Sequence, residues 1–338
     1  MRVLVVGGGS MGKRRIRCLL ANGVTPEHIR VVELRKERRA EVKQKHDVDG
    51  FDQLETGLEW EPDAVIVSVP GAYHMPVCLA AARAGKHVFC EVPLSTSLEG
   101  TEELETLVKR KSLVMAPGCQ PVFHPVLRQA SEWIKDPKFG KPLIVNYETG
   151  QYLPDWHPYE DYRSFYASSA RMGGGNLDVI AQEMNVTRLL IDETPEHVYC
   201  RASRLSSLEI DGYDCQQILA RTSSGIAMSL HFDLIQRAGY SMHRIVSEQG
   251  TITIEHGQAR RYLATTKTWE MYVPPEGFVY EQCYIREIGC FLRCIEGKDR
   301  WPVPLNVAVD TVKFLLAIQK SAAQQQAVSV FDIVETVQ

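Results

Sequence analysis

The chain has 338 residues, 44% hydrophobic and 24% charged, a balance typical of a folded protein with more than one domain. Its formal net charge of −4 and its short, scattered Lys/Arg runs argue against a nucleic-acid partner, which requires a concentrated basic face. No apolar stretch reaches the ~20 residues that span a bilayer, so we expect no membrane segment. The nine cysteines occur singly, without His at metal-ligand spacing, so we predict reduced thiols, no metal site and a cytoplasmic protein.

The first third of the chain alternates short apolar runs with helical patterns. Its first strand, at residues 3–6, follows Met1 so closely that we expect no signal peptide. Further strands are predicted at residues 29–33, 64–69, 87–90 and 113–116, with helices at 11–21, 35–45, 76–84 and 98–109. Alternation at this spacing is typical of βαβ units around a parallel sheet.

After Gly118 the pattern changes to that of an α+β domain with a large, mostly antiparallel open sheet. Helices are predicted at 126–134 and 177–191, a Pro- and aromatic-rich loop at 152–166, and strands at 143–148, 198–202, 214–221, 226–232, 243–247 and 251–255. Two more helices, at 281–295 and 307–322, follow. We therefore predict domains at 1–119 and 120–302, with residues 303–338 as a C-terminal helix packing back on the first domain.

A glycine motif joins the first strand to the first helix. Residues 7–12 read GGGSMG and satisfy G-x-G-x-x-G in the strand–turn–helix context that makes the motif informative. This predicts a Rossmann domain in which Gly7 allows the tight turn, Gly9 admits a pyrophosphate and Gly12 allows close helix packing. The predicted phosphate-binding residues of the turn are Gly7, Gly9, Ser10, Met11 and Gly12.

Glu33 closes the second predicted strand, about twenty residues beyond the glycines. An acid at this place accepts hydrogen bonds from the adenosine ribose hydroxyls and repels a 2′-phosphate. We therefore favour NAD as the cofactor over NADP. Arg35 and Lys36 lie just beyond and could offset that repulsion.

Several spaced motifs resemble the glucose–fructose oxidoreductase/inositol dehydrogenase (Gfo/Idh/MocA) family. They are residues 67–74 (VSVPGAYH), residues 84–94 (AGKHVFCEVPL), Gly118 with residues 123–125 (FHP), and the glycine run 173–175 leading into Asp178 and Asn185. The resemblance covers the chain in order. It implies a Rossmann domain plus an open sheet domain, and hydride transfer between NAD(P) and a ring carbon of a sugar, cyclitol or nucleotide-linked sugar. It also implies a homodimer or homotetramer built through the sheet.

The resemblance assigns further site residues. It implies that Pro70, His74, Glu91 and Pro93 border the path of the cofactor. His74 also has a structural interpretation, as a cap of the helix that it begins. The candidate substrate-binding residues are Gln120, Arg163, Asp178 and Glu183.

The chain also departs from the family pattern. Val92 stands where the family has a catalytic Lys, Gln182 where it has a catalytic His, and Val122 where it has an Arg. Gln cannot exchange a proton near neutral pH, and Val can neither donate a hydrogen bond nor carry charge. The usual proton-transfer pair is therefore missing.

The loop at residues 155–163 (DWHPYEDYR) is the richest source of replacements, and it resembles family members of surface-sugar biosynthesis. His157, Tyr159 or Tyr162 could exchange the proton, with Arg163 binding a carboxylate or phosphate. The alternative is that the aromatic residues only seal the loop onto the sheet.

Two acidic residues of the helix at 177–191 also have two interpretations each. Asp178 could bind substrate or cap the helix. Glu183 could reach the pocket as a base or lie on the outer face of the helix.

Three functions remain open from the sequence. The leading hypothesis is an NAD-dependent oxidoreductase of a sugar or nucleotide-linked sugar, with a place in surface-carbohydrate biosynthesis. The second is NAD-assisted chemistry without net redox, such as epimerisation, elimination or glycoside cleavage. The third is a non-catalytic NAD-binding homologue.

Overall fold

The computed structural model describes residues 1–334, which form two compact units. The first unit contains Met1–Gln120 and Val279–Val309, and the second contains Pro121–Phe278 and the described residues from Asp310 onward. This division differs from the predicted one at the C-terminal end. The last helix groups with the second unit from Asp310 onward, and the preceding helix groups with the first.

The first unit is built on a six-stranded parallel sheet within the described residues. Its strands are β1 (Val3–Val6), β2 (Ile29–Val32), β3 (Asp49–Phe51), β4 (Ala64–Val67), β5 (His87–Cys90) and β6 (Met115–Pro117). The strand order β3-β2-β1-β4-β5-β6 reverses direction at β1, as in doubly wound dinucleotide-binding sheets. The predicted Rossmann sheet is confirmed.

The helices of the described chain are α1 (Ser10–Ala21), α2 (Lys36–His46), α3 (Leu54–Glu59), α4 (His74–Arg83), α5 (Thr101–Lys111), α6 (Pro125–Lys135), α7 (Leu177–Ile191), α8 (Glu281–Ile295) and α9 (Leu305–Gln324). In the first unit, α8 contributes Ile288 and Phe291 to the core that contains Val5 and Phe89. The Phe89 and Phe291 rings meet edge to face, with centroids 5.8 Å apart. A helix encoded late in the chain therefore completes the first unit.

The second unit is built on a nine-stranded sheet within the described residues. Its strands are β7 (Pro142–Gly150), β8 (Pro195–Ser203), β9 (Cys215–Thr222), β10 (Ala227–Asp233), β11 (Tyr240–Ser247), β12 (Gly250–Glu255), β13 (Gln258–Leu263), β14 (Thr268–Tyr272) and β15 (Val328–Ser329). The order is β14-β13-β12-β11-β7-β10-β9-β8-β15. The β7–β10 pair is parallel and the other described pairs are antiparallel, which confirms the predicted mostly antiparallel sheet.

Strands β13 and β14 were not predicted. In β13, Ala259, Arg261 and Leu263 alternate on the buried face, and the central arginine conceals the apolar period. Arg261 is tolerated there because Asp136 and Glu270 both pair with its guanidinium, at 2.8 and 3.0 Å. Across residues 1–334, no helix is both long enough and apolar enough to cross a membrane.

Candidate functional site

The turn between β1 and α1 leaves no room for side chains at two of its glycines. A Cβ on Gly7, whose φ is +106°, would lie 2.4 Å from the carbonyl oxygen of Ser68. A Cβ on Gly12 would lie 1.8 Å from the carbonyl oxygen of Gly7. Both obstacles are backbone atoms that cannot move aside, so these positions require glycine.

Gly9 is glycine for a different reason. It precedes α1 with φ −72° and ψ −164°, a conformation that any residue adopts. The nearest atom to a Cβ placed there is Nη1 of Arg38, at 3.9 Å. The space beside Gly9 is therefore open, and the first N–H groups of α1, from Ser10 and Met11, lie at the positive end of the helix dipole. This cradle fits a diphosphate.

Glu33 is fixed beside the same turn. Its Oε2 accepts a hydrogen bond from the Gly8 N–H at 2.9 Å, and its Oε1 accepts one from the Arg35 N–H at 3.0 Å. Strand β2 places it there because Val32 lies opposite Val6 in the parallel ladder. A carboxylate at the end of β2, next to the phosphate cradle, is the arrangement that binds an adenosine ribose.

The loops after β4 and β5 are joined by His74. This side chain is buried, with Nδ1 2.6 Å from the Pro93 carbonyl oxygen and Nε2 2.7 Å from the Val69 carbonyl oxygen. Both ring nitrogens thus bond to carbonyl oxygens outside α4, so His74 links the two loops and does not cap the helix that it begins. Pro70 precedes the short turn that leads into α4.

The other predicted residues of the first unit are held by side-chain contacts. Arg15 binds both carboxylate oxygens of Glu91, at 2.5 and 3.0 Å. Pro93 lies close to Gly71, since its Cδ is 3.5 Å from where a Cβ on that glycine would be. Gln120 is buried and hydrogen-bonds to Tyr280.

In the second unit, the predicted catalytic loop residues bond mainly to one another. His157 Nδ1 lies 2.6 Å from the Tyr159 hydroxyl, and Tyr159 is 75% exposed. The Tyr162 hydroxyl accepts a hydrogen bond from the Glu209 N–H at 3.1 Å. Arg163 is exposed and pairs with the carboxylates of Glu209 and Asp161.

The loop residues also pack around a small hydrophobic core. Its buried residues are Leu153, Ala167, Leu208, Ile210 and Leu234, with Tyr152, Trp156, Tyr162, Phe165, Tyr166 and Ile235 packed against them. Aromatic side chains supply large apolar area, so this packing favours the interpretation that most of them seal the loop.

Helix α7 presents Asp178, Gln182 and Asn185 on one face, because these positions fall within about 60° at 100° per residue. The Tyr166 hydroxyl donates a hydrogen bond to Asp178 Oδ2 at 2.6 Å, and the Val179 N–H donates to Oδ1 at 2.9 Å. Desolvation raises the pKa of Asp178 above its ordinary value. The face therefore carries a carboxyl and two amides, and the Tyr166 phenol is bonded to the carboxyl.

Glu183 points elsewhere, about 140° around α7 from Asp178. It is buried, and its Oε2 lies 2.9 Å from Nε2 of His243 on β11. The His243 ring lies against Tyr147, with centroids 4.4 Å apart. The structure therefore brings Glu183 neither to the Asp178 face nor to solvent, and gives it a role inside the second unit.

Sequence reasoning missed Tyr166, which ended the predicted loop, and it missed Arg15 with its second partner Glu287. Tyr166 could have been noticed as one more phenol of the aromatic loop. Arg15 could not, because its partners lie 76 and 272 residues away in the chain. In the described part of the chain, no cluster of three His, Cys, Asp or Glu side chains is placed to hold a metal.

Comparison with known families decides the identity of both units. Residues 1–119 match the model described as "Oxidoreductase family, NAD-binding Rossmann fold", and residues 127–258 match that of the "GFO/IDH/MocA C-terminal domain". The chain belongs to the Gfo/Idh/MocA family. Its first unit is the family's NAD-binding Rossmann domain.

Several family proteins are similar over nearly the whole chain. A myo-inositol 2-dehydrogenase of Thermotoga maritima is 23% identical over 99% of this chain and 100% of its own. The uncharacterized oxidoreductase YrbE of Bacillus subtilis is 22% identical over 96% and 95%. A solved levoglucosan dehydrogenase in complex with NADH superposes with a TM-score of 0.86 at 20% identity, covering 98% of this chain and 99% of the other.

The open space at Gly9 gives a first test of the family cofactor site. Gly9→Ala puts a methyl group into the cradle without meeting protein atoms, so the free energy of unfolding should change by less than about 1 kcal/mol. The dissociation constant for NADH should rise at least tenfold, or about 1.4 kcal/mol, in calorimetric titration. Gly12→Ala is the matched contrast, because its Cβ meets backbone and should lower stability. Unchanged NADH affinity in Gly9→Ala would argue against this cradle.

Proposed function

We propose that this family member is an NAD-dependent oxidoreductase that acts on a sugar or a nucleotide-linked sugar. The observation that carries the proposal is the glycine cradle at the start of α1, with Glu33 held beside it by the Gly8 N–H at 2.9 Å. NAD, when bound there, supplies the hydride acceptor at its nicotinamide ring.

The environment of Glu33 supports NAD rather than NADP. A 2′-phosphate at the adenosine ribose would meet a carboxylate that is already fixed by two backbone N–H groups. Arg35 donates to the Glu33 carboxylate only through its backbone N–H, and the Arg39 guanidinium donates to the backbone carbonyl groups of Glu33 and Leu34. These cations therefore do not neutralise the Glu33 carboxylate through hydrogen bonds of their own.

The polar face of α7 supports a hydroxyl-rich substrate. Asp178, Gln182 and Asn185 offer carboxyl and amide groups on one side of the helix, and such groups bind sugar hydroxyls by donating and accepting hydrogen bonds. Relatives named as inositol and levoglucosan dehydrogenases point to the same substrate class. In its narrower form, the proposal places the protein in surface-carbohydrate biosynthesis.

We assign the proton transfer to Tyr166 and Asp178. A sugar hydroxyl bound at this face would pass its proton to the Tyr166 oxygen, and the tyrosine proton would pass to Asp178. The 2.6 Å hydrogen bond is already in place for that transfer. The sequence-predicted candidates His157, Tyr159 and Tyr162 instead bond to each other or to the Glu209 backbone.

The activity is tested by titrating the purified protein with NAD⁺ and a panel of free and nucleotide-linked sugars. Net oxidation is expected to appear as growth of the reduced-nicotinamide absorbance that depends on both reactants. Turnover of a sugar with retained cofactor and no net absorbance change would replace the proposal with non-redox chemistry. Tight NADH binding without turnover of any sugar would replace it with a non-catalytic binder.

The Asp178 assignment predicts a pH dependence. The general base must be deprotonated, and the pKa of Asp178 is raised by desolvation, so kcat should climb with pH through a value above the ordinary ~3.9. Asp178→Asn cannot accept the proton and should lower kcat by roughly 10²–10⁴ and remove that acidic limb.

Two further variants decide between assignments. Tyr166→Phe should lower kcat in the same way as Asp178→Asn. If the acidic limb survives in Asp178→Asn and His157→Ala abolishes turnover, the aromatic loop is the source of the base.

We also propose a homo-oligomer formed through the open face of the second-unit sheet. Ile144, Leu219 and Met271 lie on that face by the register of the sheet and are 40%, 59% and 64% exposed. They are spread over three strands, and a second copy of the chain packed on this face would bury them.

Leu219→Asp should therefore shift the mass measured by light scattering toward that of the monomer. Leu205→Asp, at a 65% exposed leucine outside the strands, is the matched control and should leave the mass unchanged. A wild-type protein that is monomeric at all concentrations would contradict the proposal.

We further propose that the protein functions in the cytoplasm. All nine cysteines are buried as free thiols, a state that a reducing compartment maintains.

A further inference from the structure

The first unit contains a buried arginine to which the proposed reaction gives no role. Arg15 lies on α1, one turn beyond the glycine cradle, and its side chain is 0% exposed. Nε and Nη2 bind the two oxygens of Glu91 at 2.5 and 3.0 Å, and Nη1 binds Oε2 of Glu287 at 2.6 Å. One guanidinium therefore holds two carboxylates from distant parts of the chain.

Glu287 extends the network to a further segment. Its Oε1 accepts a hydrogen bond from the Cys119 N–H at 2.5 Å, just after β6. Glu287 is fully buried, and this desolvation raises the pKa of its carboxyl. The rings of Phe89 and Tyr284 cover the Arg15 guanidinium, with their centroids 4.5 and 5.2 Å from its Cζ. The network thus ties together α1, the chain after β5, the chain after β6 and α8.

Stability alone does not account for such a network. Burying three charges carries a desolvation cost of several kcal/mol per ion, and well-packed apolar residues of similar size are often as stable or more so. Charged pairs with bidentate geometry differ from apolar contacts in fixing direction and distance. The network is therefore better suited to holding Glu91 in one place than to adding stability.

Glu91 opens the loop that faces the second half of a dinucleotide. In a doubly wound sheet the two nucleosides bind over the two halves of the sheet, on either side of the β1–β4 crevice. Glu33, at the end of β2, lies on the adenosine half. The loops after β4 and β5, joined by His74 between the Val69 and Pro93 carbonyls, therefore lie on the nicotinamide half.

We propose that Arg15 is a positioning residue that fixes the Glu91–Pro93 loop, and through it the nicotinamide, relative to the helix that binds the diphosphate. Glu287 holds the guanidinium in the orientation that reaches both Glu91 oxygens. The inference rests on the proposed NAD site. It gives Arg15 of α1 a role on the nicotinamide side of that site, and it gives Glu287 of α8 a role in orienting Arg15.

Two ligands separate positioning from general stability. ADP-ribose contains the adenosine, the diphosphate and the second ribose but lacks nicotinamide, and it should be bound through the cradle and Glu33. NADH adds the nicotinamide, whose fluorescence responds to its immediate surroundings. Both are titrated by calorimetry without any sugar, so the result is independent of whether the proposed sugar activity is found.

Arg15→Lys keeps the charge but loses the forked donors needed for two carboxylates. The dissociation constant for NADH should rise at least tenfold, that for ADP-ribose should change less than twofold, and the fluorescence change on NADH binding should shrink. Arg17→Lys is the control on the same helix, since Arg17 makes a single, half-exposed ion pair to Glu281. It should leave both affinities unchanged.

Glu287→Gln is the second variant, for the case in which Arg15→Lys does not fold by circular dichroism. It keeps the size of the side chain and an acceptor for the Cys119 N–H, and should weaken NADH selectively by a smaller factor. The inference is overturned if a folded variant weakens NADH and ADP-ribose equally, or weakens neither. Wild-type protein that binds NADH but oxidises no sugar removes only the proposed oxidoreductase activity, whereas wild-type protein that binds no NADH removes both that activity and the present inference.

Discussion

The geometry of the first unit depends on how closely α1 approaches β1. A Cβ on Gly12 would lie 1.8 Å from the Gly7 carbonyl oxygen, so the helix starts almost in contact with the strand that it follows. Strand β1 lies between β2 and β4 in the sheet. The ends of those neighbours deliver Glu33 and Ser68 to the same turn. A steric constraint on residues without side chains therefore determines where the carboxylate and the phosphate cradle meet.

The parts of the site that sequence reasoning predicted are those governed by local rules. The glycine spacing follows from a strand–turn–helix unit of ten residues, and the place of Glu33 follows from the parallel register of β1 with its neighbour. Ion pairs between distant segments obey no such rule. Nothing near Arg15 in the chain identifies Glu287 as its partner, and nothing near Glu183 identifies His243. The missed strand β13 has the same cause, because one of the two carboxylates that pair with buried Arg261, that of Asp136, lies 125 residues away in the chain.

The aromatic loop shows the difference between available chemistry and positioned chemistry. Its composition correctly indicated a supply of phenols, an imidazole and a guanidinium, but it carried no information on which atoms meet. In the structure most of those groups pack or bond within the loop, while Tyr166 bonds to Asp178. For α7 the helical period alone predicts that Glu183 lies on a different face from Asp178 and Gln182, because successive residues are rotated by 100°.

The sequence resemblance implies that Val92 and Gln182 occupy the positions of a catalytic lysine and histidine, and such a replacement changes the electrostatics of the proposed reaction. A valine at position 92 supplies no cation that could stabilise developing oxygen charge. Gln182 is on the α7 face of Asp178, and its amide N–H groups donate without titrating near neutral pH. Proton removal then depends on the one group of that face whose protonation changes with pH in the acidic range, the Asp178 carboxyl. Gln182 donates at any pH near neutrality, and only Asp178 titrates. The pH profile should therefore be simpler than that of a lysine–histidine pair, because a single ionisation controls the rate.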